Sequence, residues 1–164
     1  MSGRAGEAAT LEGRAALASA LLALATRAER DVLLLSFDFD RVLYGSGAFV
    51  EAIRRLGLSS ERARIRVLIN QPKPAMKGAH RLVELGRRMP SRIAFRELNE
   101  ERRTAHRGDW LIVDERHLIE RGSPDAPTAR QQPDAPLLAR AKVKAFMELW
   151  EASSGCAEFR TLGI

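Results

Sequence analysis

Two stretches of this 164-residue chain carry reactive side chains at spacings that suit phosphate chemistry. The first is LLLSFDFDRVL, residues 33–43, where an apolar run ends in Asp38 and Asp40. Two carboxylates one residue apart at a strand's end are the right types for a nucleophile and a general acid. With a later acidic pair, Asp114 and Glu115 of LIVDE, they could hold magnesium. The plainer reading is two solvated acids, or a cap for the next helix. The second stretch is RGDWLIVDERHLIERGS, residues 107–123, which follows His106. It gathers a histidine, arginines, Asp109, Asp114 and Ser123 around the apolar WLIV.

The elements that must position these groups follow from periodicity. Residues 1–9 are small and polar and read as disordered, and a single domain is expected over 10–153. Thr10 is expected to cap a helix running to about Arg30, with Leu17, Leu21 and Leu24 on one face. DVLLLSF is a strand, broken by YGSG at 44–47, and AFVEAIRRLGL is a helix with Phe49, Ile53 and Leu56 inward. ARIRVLIN (63–70) is a second strand, AMKGAHRLVELGRRM (75–89) a helix, and SRIAFREL (91–98) a third strand. DWLIVDE (109–115) is a fourth strand, with RHLIERG paired beside it. Residues 123–136 hold four of the seven prolines and read as an irregular loop. LLARAKVKAFMELWEAS closes as a helix, and 154–164 is a tail. Strands alternating with helices predict an α/β fold, a mixed, mainly parallel sheet flanked by helices. In such sheets functional groups collect where strands end, which singles out Asp38, Asp40, Asn70, His106, Arg107 and Asp114.

Composition narrows the class. The net charge of +6 favours an acidic, phosphorylated or nucleic-acid partner. Of 27 basic residues only four are lysine, a bias that high genomic GC content accounts for as well as phosphate binding does. One cysteine, Cys156, excludes an intrachain disulfide, and no apolar run is long enough to span a membrane. AALASALLALATRA (15–28) imitates a secretory signal, but Glu7 and Glu12 stand where positive charge belongs, so a cytoplasmic location is expected.

The Asp38-x-Asp40 strand resembles the opening of haloacid-dehalogenase-like phosphatases. That family's next strand ends in Ser or Thr, where this chain has Asn70, and its lysine falls on Lys73 or Lys77. The more extensive resemblance, over about residues 30–153, is to the phospholipase-D-like superfamily, in particular its small bacterial single-domain members. That family's signature is His-x-Lys, four residues, Asp, then Gly-Ser after a short strand. The histidine attacks phosphorus and the lysine binds the phosphate oxygens. Here Asp114 and Gly122-Ser123 fit, Gly-Ser one residue late. The histidine position holds Arg107 and the lysine position Asp109. A guanidinium stays protonated and cannot be the nucleophile, and a carboxylate repels phosphate.

The resemblance therefore implies a degenerate phosphodiesterase fold without turnover, with no cofactor and a residual anion site around His106, Arg107 and Ser123. It also implies a homodimer, since single-domain members build one site from two chains. Nucleic-acid binding through arginine clusters such as Arg62-Arg64-Arg66 is the alternative. Catalysis through a shifted His106, or phosphatase action through Asp38, is the third reading. His80 is expected on a helix surface and His117 outward from a hairpin strand.

Overall fold

The computed structural model describes residues 7–156 and Phe159. Strand β1 (Ala9–Glu12) leads into α1 (Gly13–Arg27). β2 (Asp31–Ser36) is followed by a short α2 (Arg41–Tyr44), α3 (Gly47–Ser59) and β3 (Arg64–Ile69). Next come α4 (Arg81–Arg88), β4 (Ile93–Glu97), β5 (Asp109–Val113), β6 (His117–Arg121) and β7 (Thr128–Gln132). α5 (Pro136–Glu151) and β8 (Ser154–Gly155) complete the order. The strands form one eight-stranded sheet, β1-β7-β6-β5-β2-β3-β4-β8.

β2 is central, and both of its faces are covered, which is why its sequence is continuously apolar. Val32 and Leu34 point to the side packed by α1, α3 and α4, where Leu17, Leu21, Ile53 and Leu82 join the larger core. Leu33 and Leu35 point to the other side, where Phe146, Leu149 and Trp150 of α5 form a second, smaller core. Caps fix where the helices start. The Asp40 carboxylate accepts from the Val42 and Leu43 amides at 2.7 and 3.2 Å, and Ser46 Oγ accepts from Phe49 N at 3.2 Å.

The α/β class and the mixed, helix-flanked sheet are as expected, but the sheet is not mainly parallel. Only β2–β3 and β3–β4 run parallel, and the other five pairings are antiparallel. A parallel strand needs a crossover that carries the chain back across the sheet. The connection from β4 to β5 contains only a 3₁₀ turn at Glu100–Arg102, so β5 starts at the end where β4 stopped and runs the other way.

Local differences have local causes. Thr10 does not cap a helix; it pairs with Arg130 in β1, and the strand already includes Ala9. Residues 1–6 of the expected disordered segment lie outside the described residues. The loop expected at 123–136 contains β7, because TARQQ is free of proline and pairs with both β1 and β6. Helix α4 starts at Arg81, not near 75, because Gly78 adopts φ +93°, a conformation that breaks the helix. The preceding Lys73–Met76 forms a separate 3₁₀ turn. Of the expected tail, Ser154–Gly155 pairs with β4, while 157, 158 and 160–164 lie outside the described residues. Among the described residues no helix is long and apolar enough to cross a membrane.

Candidate functional site

β2 and β3 end, and β5 begins, at the same edge of the sheet, so Asp38, Asp40, Asn70, His106, Arg107 and Asp109 converge there. The centre of this edge is Asp109, 4% exposed. Its Oδ2 accepts from Tyr44 Oη at 2.5 Å, Ser36 Oγ at 3.1 Å and Arg121 Nη2 at 3.3 Å, and its Oδ1 from Phe37 N at 3.2 Å. Asp109 and Arg121 are directly opposed on β5 and β6, and both side chains are buried. Burial first, and then the Asp109 charge, hold the Tyr44 phenol well above its ordinary range, so it stays a donor. Arg121 also donates to Pro124 O at 3.4 Å, while its Nε is buried with no partner.

The two opening acids have separate environments. Asp40 is the α2 cap and pairs with Arg14 of α1. Burial alone would raise its pKa, but the Arg14 bond and the helix amides outweigh that and lower it. Asp38 has one buried oxygen without a partner, and burial followed by the Asp109 and Asp40 charges raises its pKa. Lys73 and Lys77 are exposed on the 3₁₀ turn and its end. Among the described residues no three His, Cys, Asp or Glu side chains are grouped to hold a metal ion.

His106 and Arg107 line a cleft of about 430 Å³ with Trp110, Glu120, Arg121 and Arg130. The His106 ring stands edge-on to Trp110, centroids 6.0 Å apart, and makes no hydrogen bond to a described residue. Burial, then Arg102 and Lys142, lower its pKa, which keeps the imidazole neutral. Asn70 holds the backbone beneath it, donating from Nδ2 to the carbonyls of Arg103 and His106 at 2.8 and 2.9 Å. The Arg107 guanidinium lies 5.0 Å over the Phe37 ring. Glu120 is neutralised by Lys142 at 2.9 Å, so Arg107 and Arg130 give the cleft its charge. Gly122 lines the cleft but Ser123 does not; the Ser123 carbonyl closes a turn with Ala126 N at 3.2 Å.

Asp114 is not part of this constellation. It lies at the far end of β5, in the β5–β6 turn, where Asp114 and Glu115 both have positive φ. Its carboxylate accepts from the amides of Glu29, Arg30 and Asp31 at 2.9, 2.8 and 3.0 Å, tying the turn to the start of β2.

The other two histidines are interior, against expectation. His80 caps α4 through Nδ1, stacks on Phe39 at 4.0 Å, and its Nε2 lies 3.1 Å from Phe39 O. Burial drives its pKa down to about 4. His117 is 7% exposed and its Nδ1 accepts from Asp134 N at 2.9 Å. Sequence reading did not single out Ser36, Tyr44 or Arg121. Their separations from Asp109 of 73, 65 and 12 residues leave no local signal.

Comparison with solved structures fits this geometry. Nuc from Salmonella typhimurium, a phospholipase D family member, superposes with a TM-score of 0.62 at 13% identity, covering 92% of this chain and 99% of that one. NucT from Helicobacter pylori gives 0.62 at 8% identity, with coverages of 92% and 99%. TrmBL2, an archaeal chromatin protein with a novel mode of DNA binding, gives 0.68 at 14% identity over 95% of this chain. The present chain spans 57% of TrmBL2's length. At these identities the likeness establishes the fold, which is phospholipase-D-like. No curated protein matches the sequence. The model of one family, described as a domain of unknown function (DUF7931), matches residues 13–162, and the chain belongs to that family.

Proposed function

We propose that this chain is a phospholipase-D-like domain that binds a phosphate-bearing ligand in the His106–Arg107–Arg130 cleft without hydrolysing it. The observation that carries the proposal is the state of Asp109. It occupies the lysine position of the signature the sequence resembles, and four hydrogen bonds turn its carboxylate inward. No cation at that position can clamp a phosphate, and Arg107 supplies no lone pair for attack on phosphorus. Burial and nearby cations lower the His106 pKa and favour its neutral form, but among the described residues no acceptor orients its ring, and an unoriented imidazole is a poor nucleophile. Two guanidiniums beside an apolar wall are suited to binding alone.

The test is a phosphodiester panel, with bis(4-nitrophenyl) phosphate for turnover and a short oligonucleotide for binding. Binding without turnover is expected, weakened about tenfold by Arg107→Ala or Arg130→Ala if each contributes one charge-assisted bond. Metal-independent hydrolysis that His106→Ala abolishes would refute the proposal. Magnesium-dependent monoester hydrolysis lost in Asp38→Asn would refute it in favour of the phosphatase reading. A homodimer belongs to the same proposal, because small members of this fold pair two chains at one site. Light scattering that finds only monomer at high micromolar concentration removes that part.

A second reading is nucleic-acid backbone binding. It is supported by the +6 charge and by the fold shared with TrmBL2, described as DNA-binding. Affinity that falls linearly in log–log against salt is the expected signature. Absence of binding at low salt rejects this reading.

A further inference from the structure

A second cleft, about 560 Å³, opens at the opposite end of the sheet, beside the Asp114 turn. It shares no lining residue with the His106 cleft. Three independent features make its floor electropositive. First, Arg27 and Arg140 line it and have no ion-pair or hydrogen-bond partner among the described residues, whereas Arg116 is paired with Asp134 at 2.5 Å. Second, α5 begins there: Pro136 is on the wall, and the cap residue Ala135 has no side chain to satisfy the first-turn amides. Third, His117 is buried against the cleft with Nδ1 already accepting from Asp134 N. A neutral imidazole that accepts at Nδ1 carries its proton on Nε2, and that N–H has no partner among the described residues. Burial and the nearby Arg27 charge lower the ring's pKa against the pull of Asp114 and Asp134, which favours this neutral tautomer.

Four arginines line this cleft against three acids, so the balance is positive. Asp114 is turned onto three backbone amides, and Arg30 binds its carbonyl at 3.2 Å. Glu29 and Glu115 remain on the wall. They can accept hydrogen bonds from hydroxyl groups but not from a phosphate.

We propose that this cleft binds a small phosphomonoester with a polyhydroxylated carrier. Arg27, Arg140 and His117 Nε2–H take the phosphate, and Glu29 and Glu115 take carrier hydroxyls. The volume is in the range of small-molecule sites and exceeds the need of inorganic phosphate alone, which is why a carrier is included. Two guanidiniums match a dianion in charge and in fork geometry.

Isothermal titration of the full chain with glucose 6-phosphate, inorganic phosphate and glucose tests this. Glucose 6-phosphate is expected to bind most tightly, phosphate more weakly, and glucose not at all. Arg27→Ala and Arg140→Ala should each weaken glucose 6-phosphate at least tenfold. Both side chains are exposed, so neither change threatens folding. Any glucose 6-phosphate taken by the His106 cleft should be lost in Arg107→Ala and Arg130→Ala, while the binding that Arg27→Ala and Arg140→Ala remove should survive those two changes, which separates the two sites. Glucose 6-phosphate should also shift the His117 ring Nε2 resonance in nitrogen NMR. Phosphate binding equal to or tighter than glucose 6-phosphate would overturn the carrier. No glucose 6-phosphate binding, or binding unchanged by the two arginine substitutions, would overturn the site.

Discussion

Removing the Asp109 carboxylate is the sharpest test of the site's geometry. Asp109→Ala leaves the Arg121 guanidinium, 6% exposed on its side chain, without its counter-charge. It also takes the acceptor from the Tyr44 hydroxyl, which is fully buried. Breaking one side of a buried ion pair costs about 3–5 kcal/mol, most of it from the stranded charge. For a chain of this size that corresponds to a fall in melting temperature of roughly 6–20 °C. Removing both charges at once, as Asp109→Leu with Arg121→Met, should cost less than the two single changes together, because no charge is stranded and only the Tyr44 and Ser36 hydroxyls and the Phe37 amide lose their acceptor. The two substitutions should therefore be coupled by about 2 kcal/mol or more in a double-mutant cycle. Urea unfolding followed by tryptophan fluorescence measures this directly, since Trp110 adjoins Asp109. A cost below about 1 kcal/mol for Asp109→Ala, or strict additivity, would show that the pair is not desolvated as described.

Other consequences follow from single contacts. Tyr44→Phe removes the 2.5 Å donor to a buried carboxylate and should cost about 1.5–3 kcal/mol by the same urea assay. His80 has a folded-state pKa of about 4 against an ordinary 6.5, so the unfolded chain takes up its proton first. Its stabilisation is complete above pH 6.5 and is lost as pH falls toward 4, by up to about 3 kcal/mol at 1.36 per unit. His80→Asn keeps a capping side chain without titration, so its stability should be flatter over that window. At Gly108 an added Cβ would lie 2.2 Å from the Arg121 carbonyl oxygen, so Gly108→Ala should cost about 2 kcal/mol or more. Gly122→Ala meets nothing within 4 Å and should be nearly neutral in the same measurement.

What the sequence revealed and what it hid divide along physical lines. β2 and β5 were legible as nearly continuous apolar runs buried on both faces, and β3 and β6 by the shorter apolar stretches VLI and LI within them. α1 and α3 were legible because Leu17, Leu21, Leu24 and Phe49, Ile53, Leu56 recur at helical spacing and are all buried. β1 and β7 were not, because ATLE is a four-residue edge strand and TARQQ, though paired on both sides, carries a single apolar residue, Ala129. Strand direction was hidden because it depends on where a connection ends, not on its composition. The histidines were misplaced for a related reason. His80 and His117 serve backbone amides, Leu82 N and Asp134 N, and a side chain that caps the backbone leaves no periodic trace. Asp38, Asp40, Asn70, His106 and Arg107 share one edge, but Asp114, singled out by the same strand-end reasoning, lies at the opposite end, because the antiparallel β5 ends there. The Asp109 network was not legible, because its members come from four separate elements or loops.

The Asp109 network also shows why position 109 does not accept a cation in this scaffold. A lysine at position 109 would place a second cation beside the buried Arg121, in the position now filled by an acceptor for four donors. Restoring the ammonium alone would leave Tyr44 and Ser36 without their acceptor and set two like charges together in a site with little water. Arg121, Tyr44 and Asp109 are thus interdependent. Each is tolerable because the other two are present, and each disfavours a lone cation at position 109. The residue that sets the charge at this edge is the same residue that joins β5 to β6, β2 and α2, so a change of charge at position 109 is also a change in the scaffold.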